Sequence, residues 1–461
     1  MQKWWSLLLR AIKGTEKNFT TGSINRAIFF LAIPMIMEML MESAFALVDI
    51  FFVAQISTDA VAAVGLTETV VTLVYSIAIG LAMAATAMVA RRVGEGKHRE
   101  ASWVAGQAIW LGIGISVLVS IFGTIYAPNI LRLMGASETL IANNVGYTRI
   151  IFASNTVIVL LFLINGVFRG AGDASLAMRA LWLANGLNIL LDPLFIFGIG
   201  PFEGMGVTGA AVATTIGRAA GVSFQLYVLF RGSSILRLKT MVLRVSRSII
   251  LRLLNIASTG ASQFLIGSAS WIFLMRIIAR FGDDTVAGYT ISIRLIIFTI
   301  LPAWGLANAA ATLVGQNLGA GKPERAEISV WRTAFYNMLF LLSVSVVFFL
   351  NAEFLIGMFT KDPLVISAGV QSLKIFCIGY TFFSYGMVIS QSFNGAGDTR
   401  TPTVINLICF WLVEIPLAYF LAIYSNWGPS GVYWSIAISE SLLAVIAVYL
   451  FRLGRWKLVK A

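Results

Sequence analysis

Cysteine, histidine and charge are all scarce in this chain of 461 residues, and each scarcity excludes something. The two cysteines, Cys377 and Cys409, stand inside apolar runs, so no disulfide framework or metal cluster follows from them. They read as small packing residues. The single histidine, His98, lies in a basic loop. Zinc chemistry needs several converging ligands, and an enzyme needs a nucleophile–base pair or a metal. Neither is found, so no enzyme and no cofactor is expected. Charged residues make up 12% of the chain, against about 25% in a soluble domain. The short alternating segments of about ten residues that mark a β-barrel are missing too.

What is present is apolar length. The chain is 58% hydrophobic, with a mean hydropathy of +0.86. Twelve apolar runs fall near 28–53, 61–90, 102–125, 143–167, 175–199, 209–231, 250–280, 286–315, 328–350, 368–393, 402–425 and 431–452. Each is long enough to cross a hydrocarbon core of ~30 Å. Backbone groups in lipid must pair within their own segment, so the runs are expected to be helices. The predicted fold class is an all-α polytopic membrane protein with twelve transmembrane helices.

The net charge of +12 would suggest nucleic acid in a soluble protein, but its placement gives another reading. Of the 33 Lys and Arg, 24 fall on one side of the predicted spans, among them Lys17, Arg91, Arg92, Lys97, Arg169, Arg179, Lys239, Arg244, Lys322, Arg325, Arg400 and Lys460. The other side holds Arg132 and Lys361 against acids such as Asp59, Glu138, Glu203 and Asp362. The positive-inside rule then places both termini in the cytoplasm of a multi-pass protein of the cell membrane, with lipid and not nucleic acid as its surroundings. The N-terminal "MQKWWSLLLRAIKG" has no small-residue cleavage site. It reads as an interfacial amphipathic segment with Trp4 and Trp5 at the headgroups.

A 225-residue offset recurs three times. Asp59-Ala-Val-Ala62 matches Asp284-Thr-Val-Ala287, Gly94-Glu-Gly-Lys97 matches Gly319-Ala-Gly-Lys322, and "FRGAGD" at 168–173 matches "FNGAGD" at 393–398. The chain is thus read as two pseudo-symmetric six-helix bundles: a first lobe at 28–231 and a second at 249–452. A cytoplasmic N-terminus at 1–27, a basic linker at 232–248 and a C-terminus at 453–461 flank and join them. Six is even, so the halves are parallel repeats, as in one class of transporters. A channel more often builds its symmetry from several chains, and the expected working unit here is a monomer. "FRGAGD" lacks the GxxxxGK[ST] pattern of a phosphate loop. Its glycines permit a sharp turn, and Asp173 and Asp398 are expected to N-cap the helices that follow.

With "AATAMVARRVGEGK", "ATLVGQNLGAGKPERA", "FRGAGD" and "FNGAGDTRTP" over twelve spans, the chain resembles the multidrug and toxic compound extrusion (MATE) transporters over nearly its whole length. That resemblance implies two six-helix lobes that expel small organic, usually cationic, compounds in exchange for Na+ or H+. In the branch similar to the DNA-damage-inducible F proteins, the essential acid lies in the first lobe. The rival within the same superfamily is a lipid-linked oligosaccharide flippase, which would carry a cationic cavity.

Charges inside the spans are functional candidates in their own right, because burying one costs about 2.5–3.5 kcal/mol even on insertion scales. The first span, "PMIMEMLMESAFALVDIFF", carries Glu38, Glu42 and Asp49. At about 100° per residue, Glu42 lies about 40° and Asp49 about 20° from Glu38, so all three share a face. The alternative to function is pairing with Arg149, Arg218, Arg276, Arg280, Arg294 or Lys374. In the fifth span Asn188 and Asp192 are spaced i, i+4 and face the same way. Asp49, Asp192 and Thr214 all fall in the outer halves of their spans. Carboxylate, amide and hydroxyl oxygens at one depth suit a hard cation such as Na+. They suit a proton equally, since a carboxylate removed from water can load and release one.

The resemblance implies the same set: Asp49, Asn188, Asp192 and Thr214, with the carbonyl of Ala210. Asn165 and Tyr147 match it more weakly. It also marks Glu42 as a departure, because relatives commonly have an amide there. Glu38, Glu42, Tyr147, Asn165, Met35 and Met39 are candidates for substrate or a secondary proton. In the second lobe Leu274 stands where the offset would put Asp49. Glu414 and Glu440 are the remaining intramembrane acids; they could bind substrate or pair with Lys374 or Arg294, and pairing is the favoured expectation.

Overall fold

The computed structural model describes residues 2–14, 19–198, 203–231, 234–238 and 245–459. Lys17, Lys239, Arg244 and Lys460, the middle of the expected linker and the side chain of Trp4 lie outside the described residues. The elements in order are α1 (Gln2–Lys13), α2 (Ile24–Ala54), α3 (Thr58–Gly94), α4 (His98–Ile125), α5 (Ala127–Leu133), α6 (Glu138–Ala153), α7 (Asn155–Ala171), α8 (Ala174–Phe197) and α9 (Val207–Arg231). Then follow α10 (Arg247–Ile278), α11 (Asp283–Gly319), α12 (Pro323–Leu350), α13 (Ala352–Gly357), α14 (Pro363–Ala396), α15 (Arg400–Asn406), α16 (Ile415–Tyr419) and α17 (Pro429–Arg452). No strand occurs among the described residues.

Among the described residues, nine of these helical stretches are long and apolar enough to cross a membrane, or ten if the bent pair α6 and α7 is one span. α2 and α9 add two more of sufficient length, with 31 and 25 residues, or about 46 and 37 Å at 1.5 Å per residue. Each of the twelve predicted runs therefore contains a helix. Two runs differ from a plain α-helix. The run at 143–167 is α6 and α7 meeting at 42°, with Ser154 between them. The run at 402–425 alternates α15, a π-helix Leu407–Glu414, α16 and a second π-helix Phe420–Tyr424. α2 continues through Pro34 as one helix.

The described chain gathers into two compact units. One holds Met1–Asn18 and Met37–Ala261; the other holds Phe19–Ile36 and Ser262–Ala461. The division falls inside α2, two residues beyond Pro34, and inside α10.

The duplication is visible in backbone geometry. Gly172 ends α7 and Gly397 ends α14, both left-handed, at φ 85° and 89°. A residue with a Cβ pays for that conformation, which explains glycine at both. In each copy the following aspartate N–H bonds back to phenylalanine: Asp173 N to Phe168 O and Asp398 N to Phe393 O, both 2.9 Å. Helix packing follows small residues, as expected where lipid removes the hydrophobic drive between helices. A Cβ on Gly170 would lie 2.7 Å from Thr86 O, and one on Gly395 would lie 2.2 Å from Ala311 O.

Basic residues counted for topology also do structural work. In the second unit Lys322 Nζ donates to Thr20 O at 2.9 Å, and Arg325 donates to the carbonyls of Gly22, Thr21 and Phe19. They hold the segment that leads into α2.

Candidate functional site

The site of the first unit rests on the close crossing of α8 and α9. On α9, Gly209, Gly217 and Gly221 leave no room for a Cβ: it would meet Phe195 O at 2.2 Å, Ala184 O at 2.4 Å and Leu161 Cδ1 at 2.9 Å. That contact sets Asn188 against Thr214. With its amide oriented to suit its neighbours, Asn188 Nδ2 donates to Asp192 Oδ2 at 2.9 Å. Its Oδ1 accepts from Thr214 N at 2.9 Å and Thr214 Oγ1 at 3.0 Å. Ala210, one turn earlier on α9, is buried. Asn188 and Asp192 are almost fully buried as well.

Asp49 of α2 reaches the same place. It lies within electrostatic range of Asp192, it is buried, and its Oδ1 has no partner among the described residues. Tyr147 is buried within range of both aspartates. The structure therefore brings together Asp49, Asn188, Asp192, Thr214 and Tyr147, with Ala210 adjacent. Arg218 lies within electrostatic range of Asp49, but neither aspartate forms an ion pair among the described residues. Carboxylate oxygens so placed, one of them orphaned, are the donor set a proton or a small hard cation requires.

The other two acids of α2 are already neutralised. Glu38 Oε1 accepts from Arg169 Nη1 at 2.8 Å and from Asn165 Nδ2 at 2.9 Å. Gln225 Nε2 in turn donates to Asn165 Oδ1 at 2.7 Å. Glu42 accepts from Arg218 Nη2 at 2.9 Å and from Asn185 Nδ2 at 2.8 Å. The Arg218 guanidinium lies over the rings of Phe45 and Phe162, at 4.9 and 5.6 Å. A buried charge left single would be costly, and pairing removes most of that cost. Glu38, Glu42 and Asn165 are thus members of ion-pair networks. Met39 is half-buried near them in sequence, whereas Met35 falls in the other unit, where α2 passes Gly305 of α11 at backbone contact.

Several members were missed in the sequence. Arg169 was counted as a loop charge, yet it is nine-tenths buried on Glu38. Glu68 of α3 lies within electrostatic range of Asp49, and Tyr75 within range of Asp49, Glu42 and Arg218. Glu68 had a readable signal, an acid inside an apolar run. Arg169 had none, because a residue at the end of a span looks like any other flanking cation.

Two expectations need correction. Asp173 does not cap α8 with its side chain. It accepts instead from Ser234 Oγ and from Ile235 N, anchoring the linker. Its copy Asp398 stands one residue before the N-cap, Thr399, yet its side chain does hold the first turn of α15: it accepts from Thr401 N at 3.2 Å and from Thr401 Oγ1 at 2.6 Å. In the second unit, Glu414 makes no ion pair among the described residues. Lys374 lies over the Phe349 ring at 5.5 Å, and Arg294 is exposed, so both cations point elsewhere.

Comparison with known proteins gives one consistent answer. The MatE family model matches residues 34–194 and again 261–420, once in each half. The chain is 26% identical to the probable multidrug resistance protein NorM of Thermotoga maritima, over 94% of this chain and 93% of that one. It is 27% identical to the FAD transporter of Shewanella oneidensis, over 93% and 95%. A crystal structure of MATE in complex with MaL6 superposes with a TM-score of 0.89 at 26% identity, covering 98% of this chain and 99% of that one. The flippase alternative is not favoured by these relatives.

Proposed function

The chain belongs to the MATE family of multidrug efflux transporters, a family of transporters and not of enzymes, and from that premise we propose cation-coupled antiport centred on Asp49 and Asp192. One observation carries the reading. Of the four acids that α2 and α8 contribute, Glu38 and Glu42 are held by arginines, whereas Asp49 and Asp192 lie within electrostatic range of each other and form no ion pair among the described residues. An ion is what such a pair lacks.

In the proposed cycle H+ or Na+ loads Asp49 and Asp192 from outside, helped by Asn188, Thr214 and the Ala210 carbonyl. Neutralising the carboxylates weakens their hold on an organic cation, which leaves. Release of the ion to the cytoplasm restores the charge and favours the next cationic compound. The ion must bind the two states with different affinities, because an ion that binds both equally shifts nothing. Glu68 and Tyr147 complete the wall. The arginine-bound Glu38 and Glu42 hold α2 in register with α7 and α9. The protein is proposed to act as a monomer in the cell membrane with both termini cytoplasmic.

The test is efflux of the fluorescent cation ethidium from membrane vesicles under an imposed pH gradient and, separately, an imposed Na+ gradient. Wild type should respond to one gradient, and Asp49→Asn and Asp192→Asn should each abolish that response. Gradient-driven efflux that persists in both variants would overturn the proposal. A cysteine at Lys97, in a chain with Cys377 and Cys409 changed to serine, should be labelled only from the cytoplasmic side.

A further inference from the structure

Glu414 closes a stretch of backbone that is not α-helical. Leu407–Glu414 winds as a π-helix, and the N–H of Ile415 bonds to Phe410 O, five residues back. Pro416 supplies a cause: it has no N–H, and its ring displaces the carbonyl four residues earlier. Such π-turns concentrate at functional sites.

Glu414 is 2% exposed, and its Oε2 has no partner among the described residues. The charged group within its electrostatic range is another acid, Glu440 of α17. Tyr289 of α11 and Tyr433 of α17 stack at 5.9 Å. Both are fully buried, both hydroxyls lack a partner among the described residues, and Tyr289 lies within electrostatic range of Glu414. Cys409, on the π-helix itself, lies within range of both carboxylates. Ser439, next to Glu440 in sequence, is also buried with its Oγ unpartnered. The other elements packed on the π-helix are α15, with Arg400, α16, with Tyr419, and α10, whose Ile266 O accepts from Trp411 Nε1 at 3.0 Å and whose Arg276 and Arg280 line a cavity with Ile415 and Pro416. Among the described residues none of these hydrogen-bonds or ion-pairs with Glu414, and Arg280 lies over the Tyr419 ring at 5.7 Å. All of these groups belong to the second unit.

Two carboxylates within electrostatic range of each other inside the membrane spans, with no cation paired to them among the described residues, cannot both carry charge. We propose that Glu414 and Glu440 form a second proton-binding site, with the Tyr289 and Tyr433 hydroxyls as its polar neighbours. Loading is a plain protonation: hydronium gives its proton to a carboxylate oxygen and leaves as water. A metal cation would need about six oxygens converging on one point, whereas a proton needs one carboxylate oxygen and a neighbour that shares it. The inference does not rest on the role of Asp49 and Asp192.

Infrared difference spectra of the full-length protein in lipid, between neutral and alkaline buffer, test it. The C=O band of a protonated carboxyl should disappear on alkalinisation in wild type. That change should persist in Asp49→Asn/Asp192→Asn, be reduced in Glu414→Gln/Glu440→Gln, and be lost when all four substitutions are combined. Wild-type protein treated with dicyclohexylcarbodiimide, which modifies protonated carboxyls, provides a measurement that needs no variant. Mass spectrometry should locate pH-dependent modification at Glu414 or Glu440. An unchanged band in the glutamine double variant, or modification of neither residue at any pH, would overturn the proposal. Loss of the band on adding Na+ at constant pH would also overturn it, in favour of a sodium site.

Discussion

The loops "FRGAGD" and "FNGAGD" share a backbone and differ in what their side chains do. Both end a helix with a left-handed glycine and return the same hydrogen bond to phenylalanine. The second residue is Arg169 in one copy, bound to the buried Glu38. In the other it is Asn394, which donates to Gln391 Oε1 at 3.1 Å. The last residue is Asp173, which holds the linker, or Asp398, which holds the first turn of a helix. Geometry survived the duplication because backbone sterics fix it. Chemistry diverged because each side chain answers to a neighbour from elsewhere in the chain.

The largest break in that symmetry should come at the second position. Arg169→Ala leaves Glu38 buried without its cation, and removal of one partner of a buried pair costs about 3–5 kcal/mol. Asn394→Ala removes one neutral hydrogen bond, worth about 1 kcal/mol. Thermal unfolding of the two variants in detergent measures the contrast, and Glu38→Gln added to Arg169→Ala should restore part of the loss. Equal losses at the two positions would mean that the ion pair is not what distinguishes the halves.

Next come the packing glycines. Gly170→Ala and Gly395→Ala each force a methyl against a carbonyl, at a cost of about 1–3 kcal/mol. The loss should be larger at Gly395, where the clash is at 2.2 Å and not 2.7 Å. A smaller split separates the aspartates. Asp398→Ala should cost about 1 kcal/mol as a lost hold on the first turn of α15. Asp173→Ala should instead raise proteolytic cleavage near residues 234–238, with little change at Asp398→Ala in the same assay.

The smallest effect is expected at Glu95, whose counterpart is Ala320. Partial burial pushes the Glu95 carboxyl up, but hydrogen bonds from Arg92 and Lys97 outweigh it and hold the group below its ordinary value. A depressed carboxylate stabilises the fold above the unfolded value of about 4.3 and loses that contribution as pH falls through its own lower value. Glu95→Ala should therefore cost at most about 1 kcal/mol at neutral pH, with the deficit vanishing in acid. Pairwise unfolding curves at neutral and acid pH would expose a deficit that persists.

Much of the molecule was legible in the chain. Hydropathy gave the helices, because lipid admits few other ways to pair a backbone. The 225-residue offset gave the duplication, and Asp49, Asn188, Asp192 and Thr214 were named from their position along their spans. The break at Ser154 and the π-turn before Pro416 were not legible. Both depend on how neighbouring helices crowd the segment, and apolar composition is blind to that.

What the sequence determined by itself is therefore local or periodic: an apolar run makes a helix, and a repeated glycine makes a repeated turn. Only the tertiary structure decided which intramembrane acids are neutralised. Glu38, Glu42 and Asp49 share one face of one helix and are equivalent by periodicity. Arg169 and Arg218, more than 120 residues away in the chain, form ion pairs with the first two, while the third lies within electrostatic range of Arg218 without an ion pair. That outcome is a matter of distance in space, and spacing along the chain does not encode it.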